Sequence, residues 1–63
     1  MKYVLLTHKR YGAASVLEST VEYASPTAII AIVGANAAIS AGEPGHHFVD
    51  TPVYSYQVVV KAP

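Results

Sequence analysis

Ser25–Gly42 reads SPTAIIAIVGANAAISAG, eighteen residues without one charged side chain. Its punctuation is that of a helix. Ser25 can accept a hydrogen bond from an amide that the first turn leaves unpaired. Pro26 suits the first helical position, where its missing N–H is no loss. Gly42 suits the residue just past a helix end, and Pro44 follows it. Ile29, Ile30, Ile32 and Val33 argue against a helix because β-branched side chains lose rotamer freedom there. The caps and the alanine content outweigh them, and Pro26–Ala41 is read as one helix.

At about 100° per residue, Ile29, Ile30, Ile32, Val33, Ala37 and Ile39 share one broad arc with Asn36 and Ser40. That arc should cover a sheet. Thr27, Ala31, Gly34, Ala35, Ala38 and Ala41 share the other. An exposed helix face without Lys, Glu, Arg or Gln has two readings. Alanine is a strong helix former in solvent, and small side chains let another backbone approach closely. Ala31, Ala35 and Ala38 are therefore candidate partner contacts.

On the N-terminal side, Lys2–Lys9 (KYVLLTHK) has apolar residues at both parities, as a strand covered on both faces does. Arg10–Ala13 is the expected turn, with Gly12 free to take a positive φ. Ala14–Ala24 can be read as a strand with Leu17, Val21 and Tyr23 on one face. It can also be read as a helix with a polar stripe of Ser15, Glu18, Ser19 and Glu22. Its Val, Thr and Tyr content and the short gap after the first strand favour the strand. On the C-terminal side, Glu43–Thr51 reads as a loop with Pro44-Gly45 as its turn. Pro52–Lys61 alternates as a strand, with Tyr54, Tyr56, Val58 and Val60 on one face.

The expected fold is thus a single α+β domain spanning 1–63, in the order β-β-α-β. It is a three-stranded antiparallel sheet of order 2-1-3 with one helix on one face. The other face, with Glu18, Thr20, Glu22, Val53, Ser55 and Gln57, stays open.

Sixty-three residues bury only about 60% of the surface of the unfolded chain. The chain has no cysteine, so neither a disulfide nor a thiolate metal site can add stability. Cysteine-free composition fits a reducing, cytoplasmic setting. Four Lys+Arg balance four Asp+Glu, and 52% of the residues are hydrophobic against 13% charged. A neutral chain lacks the excess of cations that nucleic-acid binding draws on, so nucleic acid is not the expected partner. Ser25, Pro26, Thr27, Gly34, Asn36 and Ser40 interrupt the uncharged run, so no membrane span is expected. The opening Met1–Leu6 is apolar too briefly for a secretory leader. Low charge and high apolar content point to a surface that meets another chain.

The groups capable of chemistry are few. His8, His46 and His47 are available, but adjacent residues of an extended segment point apart. No metal-ligand spacing stands out, and no metal or cofactor is expected. Gly45-His46-His47-Phe48 resembles the Gly-x-His-His segment of the HicA-type toxins, ribonucleases on a double-stranded-RNA-binding-like fold. The resemblance covers four or five residues and implies a catalytic role for His46 or His47. That family is strongly basic, whereas this chain is neutral. Lys9-Arg10-Tyr11 combines charge with an aromatic ring and could clamp a phosphate or an acidic partner. Tyr54 and Tyr56 could stack bases, although an i, i+2 pair in a strand more often builds a core.

In element order the chain is similar to small phage-encoded inhibitors, which implies a protein that occupies a site on a larger host enzyme. The expected function is a non-enzymatic protein-interaction module, an inhibitor or accessory protein that binds a partner or itself. Lys9, Arg10, Tyr11, Ala31, Ala35, Ala38, His46 and His47 are its candidate contacts, and no residue is expected to be catalytic. The alternatives are a small RNA-binding protein or ribonuclease using the loop histidines, and a structural subunit of a larger particle.

Overall fold

The computed structural model describes all residues, Met1–Pro63. Four strands and two short helices follow one another as β1 (Lys2–Tyr11), β2 (Ala14–Tyr23), α1 (Thr27–Val33), α2 (Ala37–Ser40), β3 (Gly45–Asp50) and β4 (Tyr54–Lys61). They form one antiparallel sheet in the order β2-β1-β4-β3. The class is α+β, but the expected three strands and single helix are corrected to four and two.

The fourth strand is Gly45–Asp50, which the sequence reading assigned to a loop. It pairs with β4 from Gly45↔Val60 to Asp50↔Ser55. The physical reason lies in β4, where Val58, Val59 and Val60 are apolar at both parities. Left at the edge, it would present unpaired N–H and C=O groups along an apolar strand, and β3 covers that edge. Ala14–Tyr23 is a strand, and β1 lies between β2 and β4.

The helix breaks at Gly34-Ala35-Asn36. Gly34 takes φ +95° and its amide donates to the Ile30 carbonyl at 2.9 Å, closing α1. Asn36 is extended, and its Oδ1 accepts from the Ile39 amide at 3.1 Å, opening α2. Ser25 does not cap α1; Pro26 holds the cap position in helical geometry, without a side-chain hydrogen bond. The far end ends as the sequence implies. Gly42 has φ +70°, its amide donates to the Ile39 carbonyl, and the Glu43 amide donates to the Ala38 carbonyl. These two bonds form the paired closure of a Schellman motif.

Ile29 belongs to α1 and Ile39 to α2. Both side chains are fully buried. They complete a core with Tyr3, Leu5, Tyr56, Val58 and Val60, and Tyr23, Ile30, Val33, Val49 and Tyr54 pack around it. Ile32, expected on the core arc, is 48% exposed.

The stretch between β2 and β3 starts at one edge of the sheet and ends at the other. Tyr23 pairs with Tyr3, Tyr3 with Val60, and Val60 with Gly45. The helices therefore cover one face near that end, and the opposite face is bare.

Candidate functional site

Strand alternation and the pairing register define the bare face. Across it lie cross-strand rows. One is Glu22–Val4–Val59–His46, the next is Thr20–Leu6–Gln57–Phe48, and the third is Leu17–His8–Ser55–Asp50. Leu17 faces this way because Glu18 is an extra residue in β2. Thr7 pairs with Ser19 while His8 pairs with Leu17, so the bulge resets the alternation. Val4, Leu6 and Val59 are half-buried, and Leu17 and Phe48 are exposed. At 67%, Phe48 is the most exposed large hydrophobic residue of the protein.

Several polar side chains of this face are bonded to one another, whereas Thr20 and His8 are not. Gln57 Nε2 donates to His46 Nδ1 at 2.7 Å. Ser55 Oγ donates to Asp50 Oδ1 at 2.7 Å, and Arg10 Nη1 lies 4.0 Å from the same carboxylate oxygen. Lys2 Nζ is 3.8 Å from Glu22 Oε1. Both ion pairs are well exposed and contribute little individually.

The candidate residues are dispersed. His46 is exposed on the bare face. His47 points to the helix side, half-buried, where its Nε2 donates to the Glu43 carbonyl at 2.7 Å. Neighbouring strand residues take opposite faces, so the two rings do not converge. The pair sits beside Val58 and Val59, whereas Lys9 sits opposite Tyr54. About five residues of strand, roughly 17 Å, separate the histidines from the basic hairpin tip. At that tip Lys9 Nζ lies 5.7 Å from the Tyr11 ring centre, and Arg10 is tied to Asp50. Tyr54 and Tyr56 form a tilted pair, 5.7 Å between centroids, with Tyr56 buried and Tyr54 half-buried in the core region. They are packing residues.

The alanines do not form one stripe. Ala31 is exposed on α1, Ala35 lies in the break, and Ala38 is half-buried on α2. No three His, Asp or Glu side chains gather as a metal site would require. No helix is long and apolar enough to cross a membrane.

Sequence reasoning missed Phe48 and Leu17 as surface features. Both sat where an element went unrecognised, β3 in one case and the bulge in the other. The signal for Phe48 was alternation within GHHFVD. His47 and Val49 turn inward, while His46, Phe48 and Asp50 turn outward. Comparison with protein-family models, with curated proteins and with solved structures returns no match.

Proposed function

We propose that this chain is a non-enzymatic protein-interaction module that binds through the bare face of its sheet. One observation carries the reading. Phe48, Leu17, Leu6, Val4 and Val59 lie on a single face, and Phe48 is two-thirds exposed. An exposed aromatic beside aliphatic side chains is the composition of an interface centre. Gln57 and His46, and Ser55 and Asp50, are already paired with one another, which lowers the cost of taking them out of water. Acting as an inhibitor or accessory subunit in the cytoplasm is the concrete form of this reading.

The histidine-based RNA alternative gains nothing from the placement of its residues, because the basic tip and the two rings are far apart. Phe48→Asp tests the interaction reading against Ala35→Glu on the helix side. Cross-linking and capture from the native host should lose specific partners with Phe48→Asp and keep them with Ala35→Glu. Retention with Phe48→Asp and loss with Ala35→Glu would move the site to the helices.

A further inference from the structure

Resting on the reading of the bare face as an interaction surface, we infer that its occupant is a second copy of the same chain, docked face to face about a two-fold axis. The protein buries only 8 of its 63 residues, and scaffolds this small commonly draw stability from association.

The row Thr20–Leu6–Gln57–Phe48 sets the symmetry. A two-fold axis lying between two sheets, across the strands along this row, lays Leu6 on the partner's Leu6 and Phe48 near the partner's Phe48. The same rotation exchanges the rows on either side. His46 then faces the partner's Asp50, and Asp50 faces the partner's His46. Val4 and Glu22 meet the partner's His8 and Leu17. An isologous contact of this kind needs a patch that complements itself. Here Leu6 and Phe48 meet their own copies on the axis, with Thr20 and Gln57 between and beside them, and a donor-bearing imidazole is set against a carboxylate on both sides of it.

The area agrees. Four strands at about 4.8 Å spacing and about 25 Å of length present a face that buries about 1,000 Å² in a symmetric pair, the size of a weak, reversible interface. Edge-to-edge pairing through β2 is the poorer geometry. The Glu18 bulge interrupts its ladder, and Glu18 and Glu22 place like charges along the edge. Bulges and edge charges are features that block such pairing.

Because the chain has no cysteine, one introduced thiol reports proximity cleanly. Sedimentation velocity on the 63-residue chain over a range of concentrations should reveal a monomer–dimer equilibrium. Phe48→Asp should weaken it by about 100-fold, since both copies lose an aromatic anchor. Circular dichroism should show the fold kept, because the side chain is mostly in solvent. A short bismaleimide should link Phe48→Cys chains into dimers and leave Ala35→Cys chains single. Linking of Ala35→Cys as readily as Phe48→Cys would overturn the arrangement. A wild type that stays monomeric at every concentration would overturn self-association. In that case, loss of captured partners by Phe48→Asp would leave the interaction reading standing, and unchanged capture would remove both.

Discussion

Asp50, the last residue of β3, accepts a hydrogen bond from Ser55 and lies 4.0 Å from Arg10, so one carboxylate spans β4 to reach β1. Three strands are linked by side chains on the face of the sheet opposite the core. The Arg10–Asp50 pair is exposed, so Asp50→Asn should cost no more than about 0.5 kcal/mol of stability. A double-mutant cycle with Arg10→Gln, by urea unfolding at low and high salt, should show a coupling that fades as salt rises.

Gly42 and Gly12 both have positive φ, +70° and +62°, yet their surroundings differ. A Cβ at Gly42 would stand 2.8 Å from Tyr3 Oη and 3.2 Å from Met1 Sδ, whereas one at Gly12 meets nothing within 4 Å. Gly12→Ala should cost about 1 kcal/mol from backbone strain alone. Gly42→Ala should cost about 2–3 kcal/mol, because strain and steric conflict combine. Thermal unfolding of the two variants separates these terms.

Asn36 caps α2 through the Ile39 amide. Asn36→Ala should lower stability by about 1 kcal/mol, with Asn36→Asp or Asn36→Ser recovering most of it. For a domain of this size, 1 kcal/mol corresponds to a fall of about 4–8 °C in Tm.

Ile29 and Ile39 are fully buried, while Ile32 is 48% exposed. Ile29→Ala or Ile39→Ala should cost about 2–5 kcal/mol through lost contacts and a residual cavity. That is a large share of the stability of any small domain. Ile32→Ala should change it by less than about 1 kcal/mol. Equal effects at all three positions in chemical denaturation would contradict the broken helix.

Local chemistry made several elements readable before any coordinates. Gly42 as a helix terminator follows from its lack of a Cβ, and the strand character of Ala14–Tyr23 follows from Val, Thr and Tyr. Two features escaped for identifiable reasons. In Gly34-Ala35-Asn36 the sequence holds a terminator and a cap side by side, but the surrounding alanines match a continuous helix equally well. The chain uses the terminator and the cap, with Gly34 at φ +95° and Asn36 Oδ1 on the Ile39 amide. Gly45–Asp50 is short, and Gly45 and the two histidines are weak strand formers. It becomes a strand because β4 needs a neighbour, a demand written elsewhere in the chain. Of the candidate contacts, His46 lies within the bare face and Arg10 reaches its border through Asp50. The others are scattered, since residues close in sequence do not share a face in a strand.

The two inner strands of the sheet are β1 and β4, with Lys2 opposite Lys61. The ladder at the centre of the sheet therefore joins its first and last strands. Its pairs are far apart in sequence, and such pairs raise the contact order that slows folding. During synthesis, β1 and the β1–β2 hairpin must wait for β4 before a core exists. The same geometry brings the chain ends side by side, so a circular permutant that joins them and opens the Gly12 turn would keep every strand pairing.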